Sequence, residues 1–282
     1  MRDEGRISLQ FAVCSGQFAV RLLPTDICQL PTLPSRIIVS RYTTSRFTMS
    51  RTIKILASNS IRAVMGELVP QFERANDCKI AISYDPAKVM LARIERGEAA
   101  DLAITGSAAI DELVKQGKIL AGSRRVLARC SVGVAVLAGK PRPDISSVAA
   151  LKRMLLGAKS VAYTQGGASG MHFAGVIEHM GIAEQVKAKA VRQPGGLIGE
   201  LVAAGKAEIA IQQIPELMAV PGIELVGPLP ADIQLVTISS AGVFAGTKQA
   251  EAAQEFIEFL TAPAAAKVMK SKGLEPLATA EG

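Results

Sequence analysis

Tryptophan is absent from this 282-residue chain, and aromatic residues make up only 4% of it. Recognition of single-stranded nucleic acid or of sugars by stacking relies on aromatic platforms, so this scarcity argues against both as ligands. The cysteines are four, Cys14, Cys28, Cys78 and Cys130, with no C-x-x-C spacing, and the only histidines are His172 and His179. No metal or cluster site follows from that set, no cofactor is expected, and Cys78 and Cys130 read as small core residues. No run reaches the roughly 18 apolar residues that cross a bilayer, so no membrane-spanning helix is expected.

Hydrophobic residues amount to 49% and charged residues to 20%, with Gly and Pro spread along the chain, which is the composition of a globular protein. The net charge of +7 suits an anionic partner. Six positive charges (Arg2, Arg6, Arg21, Arg36, Arg41 and Arg46) fall in the first 48 residues against Asp3, Glu4 and Asp26, leaving the remainder mildly basic. With no nucleic-acid recognition motif in view, a small anion is the simpler partner. Residues 1–48 read as an extension, disordered or upstream of the true start. They contain no continuous apolar stretch closed by a small-residue cleavage site, so no signal peptide is visible. Translation from Met49 would enter the first strand directly and would leave the protein in the cytoplasm.

From Thr52 onward, short β-branched runs alternate with segments of helical period, the pattern of βαβ units on largely parallel sheets. IKILAS, KIAISY and DLAITG read as strands separated by the helical segments AVMGELVPQFERA, with Pro70 inside it, and VMLARIERG. The same syntax returns as SVAYT, a helix from about Met171 to Met180, KAVRQ, a helix from about Leu197 to Ala204, and EIAIQQ. LARIERGEAADLAITG and IGELVAAGKAEIAIQQ share a helix closed by Gly97 or Gly205, an acid at Asp101 or Glu208, and an apolar strand. Two Rossmann-like α/β lobes are therefore expected, the first from residues 52–130 and 242–282 and the second from 131–241. RCSVGVAVLAG and QLVTISSAGVFAG are the two crossing strands, and the final helices should pack on the first lobe.

In such sheets ligands sit beyond the carboxyl ends of the strands, where helices begin. Four turns there are built from caps, Pro and Gly: Ser58-Asn59-Ser60, Asp85-Pro86-Ala87-Lys88, Thr164 to Gly170, and Gln193-Pro194-Gly195-Gly196. A helix N-terminus presents unpaired N–H groups and about half a positive charge, and small residues let a ligand's oxygens approach the backbone. Each turn alone is ordinary helix capping. Their repetition at equivalent places in both lobes points to an anion trap.

ILASNSIRAVMGELVPQFE, LARIERGEAADLAITGS, SRRVLARCSVGVAV and AAQEFIEFL together resemble the molybdate-type solute-binding family, from about Lys54 to Pro276. GGASGMH and IELVGPLPADIQLVTISSAGV are more similar to its branch of organic-acid binders and aconitate isomerase. The resemblance implies a type 2 periplasmic-binding fold. It also implies a protein that captures a small anion for ABC-type transport, a periplasmic location with a permease partner if exported, and a monomer. Molybdate binders of this family carry a serine pair in the second loop, where this chain has Tyr84-Asp85-Pro86-Ala87, and a tyrosine where it has Gln212-Gln213. A carboxylate in that loop would repel a dianion. An organic carboxylate is therefore the expected ligand, with Ser58, Asn59, Ser60, Asp85, Lys88, Gln165, Ser169, Gly170, Arg192 and Gln212 as candidate contacts. Molybdate-type oxyanion binding is one alternative. Another is an aconitate isomerase-like enzyme that shifts a double bond in a tricarboxylate, with His172 as proton carrier, since histidine titrates near neutrality.

Overall fold

The computed structural model describes residues 51–277. The expectations for residues 1–48, including Cys14 and Cys28, lie outside the described residues.

The first lobe opens with β1 (Arg51–Ala57), α1 (Arg62–Ala75), β2 (Cys78–Tyr84), α2 (Ala87–Glu95), β3 (Leu102–Gly106) and α3 (Ser107–Lys115). The long strand β4 (Arg125–Leu137) then leads to α4 (Val148–Gly157), β5 (Val161–Thr164), α5 (Ala168–His179), α6 (Ala183–Lys187), β6 (Ala190–Gln193), α7 (Gly199–Ala203), β7 (Ile209–Gln213), α8 (Ile214–Met218) and β8 (Ile223–Pro228). β9 (Val236–Val243), α9 (Ala250–Thr261), α10 (Pro263–Ser271) and β10 (Glu275–Pro276) complete the described chain. The strand order is β2-β1-β3-β9-β4-β7-β5-β6, with β8 and β10 both paired to β4.

β1 runs parallel to β2 and β3, and β5 runs parallel to β6 and β7, so each lobe repeats one βαβ plan. The repeat extends to single atoms. Gly97 and Gly205 end α2 and α7 at φ 86° and 69°, a left-handed conformation that glycine adopts without Cβ strain. Asp101 Oδ2 accepts from the Lys54 N–H at 2.7 Å, and Glu208 Oε2 accepts from the Lys159 N–H at 2.6 Å. In both lobes the acid satisfies a donor of the adjacent parallel strand or of the residues leading into it, which explains why it recurs just before an apolar strand.

β4 is the first crossing: residues through Ser131 pair with β9, and Val132–Val136 pair with β7. The second crossing lies close by. Gln234 brackets the crossing point, its Oε1 accepting from the Val132 N–H at 2.9 Å and its Nε2 donating to the Val132 carbonyl at 3.0 Å. β9 then lies in the first lobe's sheet from Val236 onward. The sequence reading put this return at residues 241 and 242; the alternation of QLVTISSAGV is the same on either side of the crossing and carries no mark of where a strand changes sheet.

Each lobe holds its own core. Ile53, Ile55, Leu68, Phe72, Phe256, Ile257 and Met269 are buried together, which seats α9 and α10 on the first lobe, with Phe72 and Phe256 edge to face at 4.9 Å. Burial of one such ring contributes about 1.5–3 kcal/mol. Val134, Leu151, Tyr163, Phe173, Ile177 and Ile211 form the second core. Cys78 and Cys130 are buried free thiols, and burial pushes the Cys130 thiol up to about 11.

Candidate functional site

The carboxyl ends of the parallel strands of both lobes face one cavity of about 120 Å³. It is lined from the first lobe by Ser58, Asn59, Ser60, Asp85, Pro86, Ala87, Thr105 and Gly106, and from the second by Thr164, Gly167, Ala168, Ser169, Gly195 and Gly196. Gln212, Gln213, Glu216, Thr237 and Ser239 close it beside the crossing strands. The lobes touch across it: a Cβ added to Gly195 would lie 3.0 Å from Pro86 Cγ. A volume well below the roughly 300 Å³ of a drug-sized pocket fits an ion or a compact acid. A wider groove of about 780 Å³ runs along the opposite ends of the second lobe's strands, beside Lys140, Arg153, Lys159 and Glu208. It lies away from the strand ends at which ligands bind in doubly wound sheets, and none of the residues anticipated from sequence lines it.

Several helices begin at the cavity. Ser58 precedes the short 3-10 turn Asn59–Ile61, and Ser58 Oγ and Ser60 Oγ are 3.0 Å apart. Ser58 makes no capping hydrogen bond, and the N-cap of α5 is Gly167, so neither Ser58 nor Ser169 serves as an N-cap serine. α5 starts at Ala168, three residues before the sequence reading placed it, because the glycines permit a very tight approach to β5. A Cβ on Gly167 would meet Thr164 Oγ1 at 2.6 Å, and one on Gly170 would meet the Thr164 carbonyl oxygen at 1.8 Å.

The anticipated contacts divide. Ser58, Asn59, Ser60, Asp85, Ser169 and Gln212 line the cavity. Lys88, Gln165 and Arg192 are exposed and outside its lining, and Gly170 is buried against Thr164. The three long side chains follow their turns into solvent, where their polar ends stay hydrated. Gln212 lines the cavity, but its amide is already engaged, accepting from the Ile198 N–H and donating to the Gly196 carbonyl, both at 2.8 Å. It thereby holds the turn before α7. Asp85 is paired with Arg93, which also binds Glu98. Arg93, shared with Glu98, offsets part of its negative charge and so weakens the repulsion of a dianion expected from sequence; the loop presents an acceptor where the serine pair presents donors.

His172 lies outside the lining, its Nε2 2.8 Å from the Ile233 carbonyl oxygen on the segment before β9. A helix turn carries successive side chains about 100° apart, so a first-turn position does not by itself direct a ring into the cleft.

Sequence reasoning missed Glu216. This carboxyl is buried, lines the cavity, and occupies the first turn of α8 after Gln213 and Pro215. Burial raises it from 4.5 to about 8, while hydrogen bonds from the Gln213 backbone N–H and the Gln212 side chain, and the charge of Arg62, pull the other way. The bond from Gln213 is the reach-back of a capping box, an ordinary reason for Glu three residues into a helix. Burial of the carboxyl to 8% exposure is not part of that motif. Thr105 and Thr164 were also missed as site residues; their Oγ1 atoms are buried with no hydrogen-bond partner among the described residues. The available signal was positional, since Thr105 and Thr164 stand at carboxyl ends of strands and Glu216 in the first helical turn after one.

Two Rossmann-like lobes, two crossing strands and a small cavity between helix starts define a type 2 periplasmic-binding fold. The chain belongs to the family described as bacterial extracellular solute-binding protein, which it matches over residues 53–275. It is 34% identical over 232 residues to an aconitate isomerase from Pseudomonas sp., covering 80% of this chain and 88% of that one. It is 27% identical over 230 residues to the molybdate-binding protein ModA of Azotobacter vinelandii, covering 78% and 88%. The solved periplasmic molybdate-binding protein of Azotobacter vinelandii superposes with a TM-score of 0.67 at 19% identity, over 79% of this chain and 98% of that one, a likeness of fold.

Proposed function

We propose that this protein captures a small organic carboxylate in the cleft between its lobes, as the binding component of ABC-type transport. The family is typically periplasmic and paired with such transporters. The observation that carries the carboxylate is the chemistry of the cavity wall. Donors come from serine and threonine hydroxyls and from backbone N–H groups at helix starts, while Pro86, Ala87 and Ala168 add apolar surface for a carbon skeleton. No lysine or arginine lines it among the described residues. Calorimetry against aconitate, citrate, molybdate, tungstate and sulfate tests the reading. At least one polycarboxylate should bind and the three inorganic oxyanions should not; sub-micromolar molybdate binding would overturn it.

A second reading is favoured by one observation, a buried carboxyl lining the cavity, which burial pushes up to about 8. An aconitate isomerase-like reaction needs one group to take a proton from an allylic carbon and return it to another, and Glu216 suits that task better than His172. Incubation with aconitate in heavy water, followed by proton NMR, distinguishes the two. Exchange and interconversion of isomers would make the protein an enzyme, and an unchanged spectrum would leave it a binder.

A further inference from the structure

We propose that ligand capture is proton-linked: protonated Glu216 and the hydroxyls of Thr105 and Thr164 are the donors that hold an ionised carboxylate, one threonine from each lobe. The inference rests on the carboxylate reading above and adds the groups that recognise the ligand.

Three observations carry it. Thr105 near the end of β3 and Thr164 at the end of β5 both line the cavity, one from each lobe. They are 0% and 3% exposed, and their hydroxyls have no partner among the described residues. Buried hydroxyls are seldom left without a partner in native proteins, so two of them beside one cavity mark where an acceptor belongs. Glu216 is the third donor, 8% exposed on the same wall.

The charged and titratable groups around Glu216 leave its proton in place. Arg62 on α1 acts on it only at a distance, being bonded to Asn59 and set 4.2 Å over the Tyr84 ring. Cys130 on β4, also near Glu216, is a buried neutral thiol and adds no charge there. Asp85, on the first lobe's side of the cavity, is bound to Arg93. No salt-bridge partner reaches Glu216 among the described residues, and burial therefore keeps its carboxyl protonated up to about pH 8. In that form it donates one O–H hydrogen bond to an anion; ionised, it would repel the same anion.

Isothermal titration of aconitate, and separately of molybdate, from about pH 6 to about pH 9.5 tests this on the wild type, Glu216→Gln, Thr105→Val and Thr164→Val, with melting temperatures at each pH confirming the fold. For the wild type, the dissociation constant for aconitate should be flat to about pH 7.5 and rise about tenfold per pH unit above 8. Glu216→Gln keeps an N–H donor and should bind with no such break. Each threonine variant should weaken binding about tenfold at every pH and leave the break in place. A wild-type profile flat to pH 9.5, the same break in Glu216→Gln, or threonine variants that bind normally overturns the proposal. If molybdate binds with the break and aconitate does not bind at all, the carboxylate reading falls and the proton linkage stands. Molybdate binding without the break, or binding of neither anion, overturns both.

Discussion

Replacing Glu216 by glutamine should stabilise the protein by an amount that depends on pH. Glutamine keeps the carbonyl oxygen that accepts from the Gln213 N–H, but removes the ionisable group. The unfolded carboxyl titrates at 4.5 and the folded one at about 8. Between those values the folded chain holds a proton that the unfolded chain has released, so this group's contribution is fully present below 4.5 and is lost as pH rises to about 8. At 1.36 kcal/mol per unit, the wild type forfeits about 3 kcal/mol between pH 4.5 and 7, and the glutamine variant forfeits none of it. Urea unfolding of both proteins at about pH 5, 7 and 8.5, compared by midpoint at equal slope, measures this directly. The gap in favour of Glu216→Gln should widen by about 3 kcal/mol from pH 5 to 7 and flatten above 8. Two stability curves that stay parallel across that range would show that Glu216 is not held protonated, and the reasoning would fail with them.

Ser58→Ala, Ser60→Ala and Ser169→Ala should each weaken ligand binding by about tenfold with little change in melting temperature, because a hydrogen bond to a charged acceptor is worth about 1.5–3 kcal/mol. Loss of about 1 kcal/mol of stability with normal affinity would instead identify these serines as helix caps. Gly170→Ala should destabilise the fold by more than about 3 kcal/mol, since its Cβ would meet the Thr164 carbonyl oxygen and no rotamer relieves a backbone clash; denaturant unfolding within 1 kcal/mol of wild type would contradict the packing described here.

Much of the architecture was legible in the amino-acid order because the two lobes say the same thing twice. Helical and strand periods, the terminating Gly97 and Gly205, and the acids Asp101 and Glu208 are local signals, and each has a local physical cause in the fold. The turns around Ser58 and Ser169 were readable for the same reason, since strand ends with small residues can be recognised without knowing what lies opposite. Tertiary structure alone decided the rest. Whether Lys88, Arg192 and His172 face the cleft depends on where a helix start points once packed, and Asp85 lost its free charge to Arg93, eight residues further along the chain. Glu216 looks from its sequence like an ordinary capping glutamate. Only the closing of both lobes around it, with Arg62 at a distance and two unpartnered threonine hydroxyls lining the same cavity, withdraws water from the carboxyl and makes it a proton donor.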